Sequence, residues 1–189
     1  MGWDLMSSQE LEQLRRNVKL NVCDKCYQVY LSFIEPGIRK LILTRLNDMR
    51  SMESNITQMV MIHKGVFKTD MVFISIGKWD DKFHEEVDRD LFYKIKKWGF
   101  KKKIDYLKKM LTLPESCYTL IDKARERRNL IHEDPLVYGF TDKDLELFLQ
   151  ASIVSDNLFQ AMRTKFPEDV KQRMISRCET SSRRYLAKI

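Results

Sequence analysis

The chain has 189 residues, of which 43% are hydrophobic, and it contains only 6 glycines and 4 prolines. This length suits one domain with a core of its own, and so few turn-forming residues argue against an all-β fold. The formal net charge is +7, which favours a polyanionic partner because basic groups release counterions from phosphates. A basic protein without such a partner is the alternative.

The N-terminal segment does not resemble a secretory signal, because it already contains Asp4, Glu10 and Glu12. No uninterrupted apolar run approaches the ~20 residues that a helix needs to span a bilayer. We therefore expect a soluble, cytoplasmic protein that makes no membrane contact.

The N-terminal part of the chain predicts long helices over residues 8–62. Ser7-Ser8 is suited to cap the first of them, since serine hydroxyls accept hydrogen bonds from the first backbone amides. Apolar residues recur at helical spacing as far as Phe33, and Pro36-Gly37 interrupts the pattern. A second helix is expected from Ile38, with many methionines that suit an adaptable core or an interface.

Cys23 and Cys26 have the spacing of a metal-binding pair, but the chain has no second pair. A structural zinc site needs four ligands, and two cysteines one helical turn apart supply half of them. The favoured interpretation is that these are buried or half-buried thiols, with metal or redox use as the alternative.

The stretch from Lys64 to Trp79 is expected to be a short irregular insertion, because periodicity does not distinguish a strand from a buried helical turn there. Asp80-Asp81 then predicts the start of another helix. His84 lies among carboxylates in this helix. We interpret it as a surface histidine, with a metal enzyme built on His84 and nearby acids as a weaker hypothesis that chelators would test.

Between Lys94 and Lys109 the chain holds eight lysines interleaved with aromatic and aliphatic residues, and Gly99 predicts a break between two helices. Lysines beside exposed aromatics would follow an RNA backbone and stack its bases. An amphipathic helix pair, with aromatics in the core and lysines in water, is an equally good interpretation. On the first interpretation the RNA-binding residues are Lys96, Lys97, Lys101, Lys102 and Lys103.

Pro114-Glu115 predicts the start of the next helix, whose apolar stripe includes Ala124 and Ile131. Arg127 falls on the same stripe, at steps of three and four residues. A cation on a face that packs against the core costs several kcal/mol unless it is paired or used. Either function or a buried ion pair must therefore explain Arg127.

Thr141-Asp142 predicts the start of a helix with an unusually broad apolar face, which suggests self-association. Pro167 predicts the start of a last, basic helix over 167–189. The whole pattern predicts one all-α domain over 1–189, a bundle of about six or seven helices. Its motif-bearing core covers about 113–166.

The end of the Pro114 helix carries Arg127 and His132, a pairing that suits work on a phosphodiester. Guanidinium binds phosphate oxygens in a planar fork, and imidazole transfers protons near neutral pH. The segment 126–133 resembles the Arg-x4-His motif of the HEPN superfamily, small helical bundles of which many are metal-independent RNases of toxin–antitoxin, abortive-infection and CRISPR-associated systems. Leu130 and Ile131 match the apolar residues that commonly precede the histidine in that family.

The resemblance implies a homodimer that cleaves RNA without metal or cofactor, with Arg127 on the phosphate and His132 in proton transfer. It implies that Arg128, Asn129 and Arg125 orient the substrate or the histidine, and that an antitoxin or regulatory partner protein restrains the activity. One departure is Arg128, which stands where the family often has a polar Asn, Asp or His. If Arg128 is the motif arginine, the Arg-Asn pair is restored but the spacing shortens.

Two other interpretations remain open. A non-catalytic helical module would bind nucleic acid or a partner protein through the lysine-rich segment and keep the motif for dimer structure. In the second interpretation, His132 only complements the dipole at a helix end, and Arg127 pairs with a carboxylate inside the bundle.

Overall fold

The computed structural model describes residues 31–32, 34–67, 87–133, 138–163 and 166–189, and this part of the chain is all-helical. An isolated antiparallel bridge between Phe67 and Val87 is the β-type pairing found there. The prediction of an all-α bundle is confirmed. The six helices of the described part are α1 (Pro36–His63), α2 (Arg89–Lys96), α3 (Phe100–Met110), α4 (Glu115–Glu133), α5 (Asp142–Arg163) and α6 (Glu168–Leu186).

The helix boundaries follow the local signals in the sequence. Gly99 separates α2 from α3 with an extended backbone (φ −61°, ψ 152°), as expected for a break. Pro167 is the N-cap of α6. The expected interruption of the helical pattern is present, because residues 34 and 35 are not helical. The new helix α1 starts at Pro36, two residues before the expected Ile38, and the missing N–H of proline removes no helical hydrogen bond at this position.

Helix α5 lies at the centre of the bundle and packs against α1, α4 and α6. Its buried residues include Phe148, Ala151 and Leu158, which belong to the hydrophobic core of the bundle. The broad apolar face of this helix is thus largely used inside the protein, while Ile153 remains 44% exposed. Helix α1 also contacts α2 and α3, α3 contacts α4, and α4 contacts α6.

The methionines of α1 contribute to the core, as the sequence predicted. Met49, Met52 and Met59 are buried in the same cluster as Ile42 and Ile56. Unbranched methionine side chains fill irregular gaps between helices that cross at different angles.

Several sequence predictions lie outside the described residues. They are the first N-terminal helix with Cys23 and Cys26, the segment 68–79 of the insertion, and His84. Of the helices that the structure describes, none has the length and apolar character needed to cross a membrane.

Candidate active site

Arg127 of α4 is bonded to Asp144 in the first turn of α5. Its Nε donates to Oδ1 at 2.6 Å, and its Nη2 donates to Oδ2 at 2.8 Å. The Arg127 side chain is 24% exposed and that of Asp144 only 8%. Parallel bonds of this kind are the strongest geometry for a guanidinium and a carboxylate. This ion pair, with a buried carboxylate and a half-buried guanidinium, accounts for a cation on the apolar stripe. An ion pair inside the bundle was one of the two explanations that the sequence left open.

Asp144 is also held by the residue that caps its helix. Its Oδ2 accepts hydrogen bonds from the backbone N–H of Thr141 at 2.9 Å and from Thr141 Oγ1 at 2.8 Å. In return, the backbone N–H of Asp144 donates to Thr141 Oγ1 at 3.2 Å, which completes the reciprocal cap at the start of α5. Burial opposes ionisation of Asp144, but the hydrogen bonds from Arg127 and Thr141 outweigh it and lower its pKa.

Arg127 also fixes the backbone just before α5. Its Nη2 donates to the carbonyl oxygens of Tyr138 at 2.9 Å and Gly139 at 3.3 Å. Gly139 has a positive φ of 42°, a conformation that glycine adopts without steric cost. Arg127 therefore joins the last turns of α4 to the residues that lead into α5, and its Nη1 takes no part in these bonds.

His132 is half-buried in the last turn of α4, which continues to Glu133. An α-helix turns about 100° per residue, so His132 lies about 140° around the axis from Arg127. Arg128 and Arg125 lie within about 40° and 20° of His132 on the same helix face. The helix thus aligns His132 with the two supporting arginines, and it places Arg127 on a different face.

The supporting residues differ in how strongly they are already paired. Arg128 is half-buried, and its Nη1 lies 3.8 Å from Oε2 of Glu53 on α1, beyond hydrogen-bond distance. Arg125 donates to Asp122 at 2.6 Å and to Glu126 at 3.1 Å, so two carboxylates already neutralise it. Asn129 is exposed. Arg128 is consequently the arginine on the His132 face that is least committed to a carboxylate.

Four of the five lysines predicted to bind RNA, namely Lys96, Lys97, Lys101 and Lys102, are exposed. Lys101 is already paired, since its Nζ lies 2.6 Å from Asp122 and 3.0 Å from Asp105. These bonds raise the pKa of Lys101.

Lys103 does not lie on the exposed face expected for an RNA contact, because it is only 4% exposed. It shares the inner face of α3 with Phe100, Ile104 and Leu107, which are also buried. Burial lowers the pKa of Lys103, and the negative charge of Glu53 opposes that shift.

An aromatic cluster that the sequence did not predict joins the end of α1 to α3. Trp98 and Tyr106 meet edge to face with ring centroids 5.7 Å apart. His63 Nδ1 and the Tyr106 hydroxyl are hydrogen-bonded at 2.7 Å. Lys102 Nζ lies 4.6 Å from the Trp98 ring centre, and Lys64 Nζ lies 4.7 Å from that of Tyr106. The lysine-rich segment therefore has the buried apolar face of the second interpretation, while the two aromatic rings beside its lysines are half-buried and not exposed as the first interpretation expected.

Metal-ligating side chains do not gather in the described ranges, where no group of three or more His, Cys, Asp or Glu could hold a metal ion. Cys117 and Cys178 are buried, free thiols. Cys117 Sγ accepts a hydrogen bond from Ser182 Oγ at 3.6 Å, between α4 and α6.

Comparison with known proteins adds no relative to this picture. No family model matches the chain, and neither the curated proteins nor the solved structures contain a significant match. The resemblance to the HEPN superfamily therefore rests on the residues around His132 and their helical context.

Proposed function

We propose that the chain is a metal-independent endoribonuclease, a toxin or antiviral-defence effector that acts as a homodimer. The observation that carries the proposal is the alignment of His132 and Arg128 on one face at the end of α4. In RNA cleavage by internal attack, an imidazole can transfer the protons and a guanidinium can stabilise the charge that develops on the phosphate. In this proposal Arg127 is a positioning residue, because its bonds to Asp144 hold α4 against α5.

The proposed reaction begins when the RNA 2′-hydroxyl attacks the adjacent phosphorus. His132 accepts the proton of that hydroxyl as the new P–O2′ bond forms, and such proton transfer contributes about 10²–10⁴-fold to a rate. The P–O5′ bond breaks, and the leaving 5′ oxygen takes a proton from the second protomer's imidazole or from water. Arg128 offsets the charge that develops on the phosphate oxygens. The products carry a 2′,3′-cyclic phosphate and a 5′-hydroxyl.

Two exposed apolar side chains close to the end of α4 support the proposed dimer. Leu130 in α4 is 39% exposed, and Tyr138, whose carbonyl oxygen accepts from Arg127, is 40% exposed. Exposed apolar groups supply contact area for a second copy of the chain. In the proposed dimer the ends of α4 from two protomers come together, and an antitoxin or regulatory partner is expected to restrain the assembled enzyme.

The test is a cleavage assay on structured and single-stranded RNA in the presence of EDTA. The parent protein is expected to cut and to leave cyclic-phosphate ends, whereas His132→Ala is expected to be inactive. His63→Ala is the matched control, because it removes an imidazole from the end of a different helix. Equal cleavage by the parent and His132→Ala would reject His132 as the catalytic residue.

A second candidate function is a non-catalytic module that binds nucleic acid through the lysine-rich segment. The aromatic cluster favours it, because Lys64 and Lys102 place positive charge beside the half-buried rings of Tyr106 and Trp98. Bases stack on such rings while lysines contact the backbone. If Lys96, Lys97 and Lys102 are all replaced by glutamine and biological function is lost, while His132→Ala retains it, this second function is the correct one.

A further inference from the structure

A cavity of about 440 Å³ lies between α5 and α6, away from the residues of the Arg-x4-His motif. Helix α5 contributes Glu146 and Gln150 to its wall, and α6 contributes Arg177, Arg184 and Lys188 together with several hydroxyls. We propose that this cavity binds the sugar-phosphate backbone of single-stranded RNA. Taking RNA as the ligand rests on the proposed function, whereas the anion-binding character of the cavity stands on its own residues.

The cationic wall of the cavity is a stripe along α6. Arg177, Arg184 and Lys188 are separated by seven and four residues, so they lie on one side of the helix. Within the described part of the chain, none of the three has a carboxylate at ion-pair distance. Glu146 is the one acidic residue in the lining. The cavity therefore has a surplus of positive charge that no described internal contact neutralises.

Two other arginines of the same helix show the opposite arrangement. Arg173 Nη2 lies 2.8 Å from Asp169, and Arg183 is paired with Glu179. Both pairs join residues four apart on exposed parts of the helix. Helix α6 thus has internally paired arginines elsewhere and a cationic stripe at the cavity, and an external anion is the natural partner for that stripe.

The remaining lining matches a sugar-phosphate chain better than a base or an apolar molecule. Ser176, Thr180 and Ser181 surround the cavity with hydroxyls. Its aromatic member, Tyr185, is only 5% exposed, and its hydroxyl donates to the carbonyl oxygen of Lys143 at 3.2 Å. Ligand pockets that bind apolar groups are lined mainly by hydrophobic side chains, and this one is lined by charges and hydroxyls.

The cavity also lies at the same end of α5 as the ion pair of Arg127. Tyr185 bonds to the carbonyl of Lys143, and the next residue, Asp144, holds Arg127 of α4. The first turn of α5 therefore anchors both the cavity and the helix that carries His132.

The experiment measures binding of a labelled single-stranded RNA whose 2′-hydroxyls are methylated, so that it cannot be cleaved by internal attack. Arg177→Gln/Arg184→Gln removes two cations from the cavity, and Arg173→Gln/Arg183→Gln removes two from elsewhere on the same helix. We expect the cavity variant to bind this RNA at least about tenfold more weakly at ~0.1 M salt. The slope of the logarithm of the binding constant against the logarithm of the salt concentration should become shallower by about 1.4, since each phosphate contact with a single strand contributes about 0.7. The control variant is expected to stay close to the parent.

If the cavity variant binds RNA with the affinity and salt dependence of the parent, the proposal is overturned. It is also overturned if the control variant loses as much affinity as the cavity variant, because the overall positive charge of the helix would then explain binding. Competition by a free 5′-mononucleotide distinguishes the source of the phosphate. Weak competition is expected, and tight mononucleotide binding without RNA binding would overturn RNA as the ligand. If the parent binds RNA through Arg177 and Arg184 but never cuts it, the RNase proposal fails while the cavity assignment stands.

Discussion

Arg127 and Asp144 are joined by two parallel hydrogen bonds across the contact between α4 and α5, although 17 residues separate them in the chain. Asp144 is buried, so a phosphate that competed for Arg127 would leave this carboxylate without its partner. Breaking such a pair is costly, because an uncompensated charge remains in the interior. Arg127 is thus better suited to hold two helices together than to bind and release a substrate.

Replacing Arg127 by alanine is expected to lower the free energy of unfolding by about 3 kcal/mol, because Asp144 then stays buried and unpaired. Arg127→Lys should recover only part of this, since an ammonium group does not form the planar, bidentate contact. Urea unfolding followed by circular dichroism measures both. A double-mutant cycle that adds Asp144→Ala gives the coupling energy between the two side chains. If the Arg127→Ala protein is as stable as the parent, the ion pair does not stabilise the fold.

The Asp144 pair is expected to make stability depend on acid. The pKa of Asp144 is lowered in the folded protein, so its carboxylate contributes stability above the unfolded value of about 3.9. That contribution is lost as the pH falls through the folded pKa. The difference in unfolding free energy between the parent and Asp144→Asn should therefore be large at pH 7 and shrink in acid. Asp142→Asn, an exposed change in the same turn, is the control, and a pH-independent difference would contradict the prediction.

Arg128 and Arg125 share a face with His132 but should contribute unequally to cleavage. Arg128→Ala is expected to reduce the rate by about 10²-fold, the usual loss when one group that stabilises developing charge is removed. Arg125→Ala should reduce it much less, because Asp122 and Glu126 already neutralise Arg125. Single-turnover cleavage by the two variants makes the comparison. A larger loss from Arg125→Ala would transfer the phosphate role to that residue.

Lys103→Met is expected to stabilise the protein by about 1 kcal/mol at neutral pH, because replacing a buried charge with an apolar side chain of similar size removes a desolvation cost. The pKa of Lys103 is lowered by folding, so the parent regains stability as the pH rises from the folded pKa towards the unfolded value of about 10.4. The advantage of the variant should shrink over that range. Urea unfolding at several pH values tests this, with the exposed Lys102→Met as control. A destabilised Lys103→Met protein would show that the ammonium has a structural role.

Cys117 and Cys178 are expected to resist alkylation in the native protein. Burial raises the pKa of both thiols, that of Cys178 to about 11. The reactive thiolate is therefore scarce, and the reagent has little access. Treatment with iodoacetamide at pH 8, with and without urea, followed by peptide mass analysis, gives the modified fraction at each site. Rapid native modification of either residue would contradict the burial.

The predictability of this structure depends on whether a signal is local. Gly99, Pro114 and Pro167 mark helix boundaries through their own backbone preferences, and the boundaries lie where the sequence predicted them. The conflict at Arg127 was also visible, as a cation on an apolar stripe. The partner of Arg127 could not be predicted, because Asp144 has the pattern of an ordinary acidic residue in the first turn of a helix.

Lys103 and His63 show two different reasons for a missed feature. The buried face of α3 has a regular spacing, and Lys103 belongs to it with Phe100 and Ile104, so this signal was present but outweighed by the run of lysines. The bond from His63 to Tyr106 joins residues 43 apart in the chain. It depends on how α1 and α3 meet, and no local pattern encodes that contact.

The central position of α5 has a consequence for how this chain is made. Its partner α1 ends at His63, and α5 starts at Asp142, so in a nascent chain the face of α1 that packs on α5 lacks this partner until α5 has been synthesised. Contacts that join such distant segments slow folding, and exposed apolar surface invites aggregation in the interval. Helix α6 follows α5 directly and packs on it without delay. Chaperone demand during synthesis should therefore be greatest before α5 emerges, and it should fall once that helix is complete.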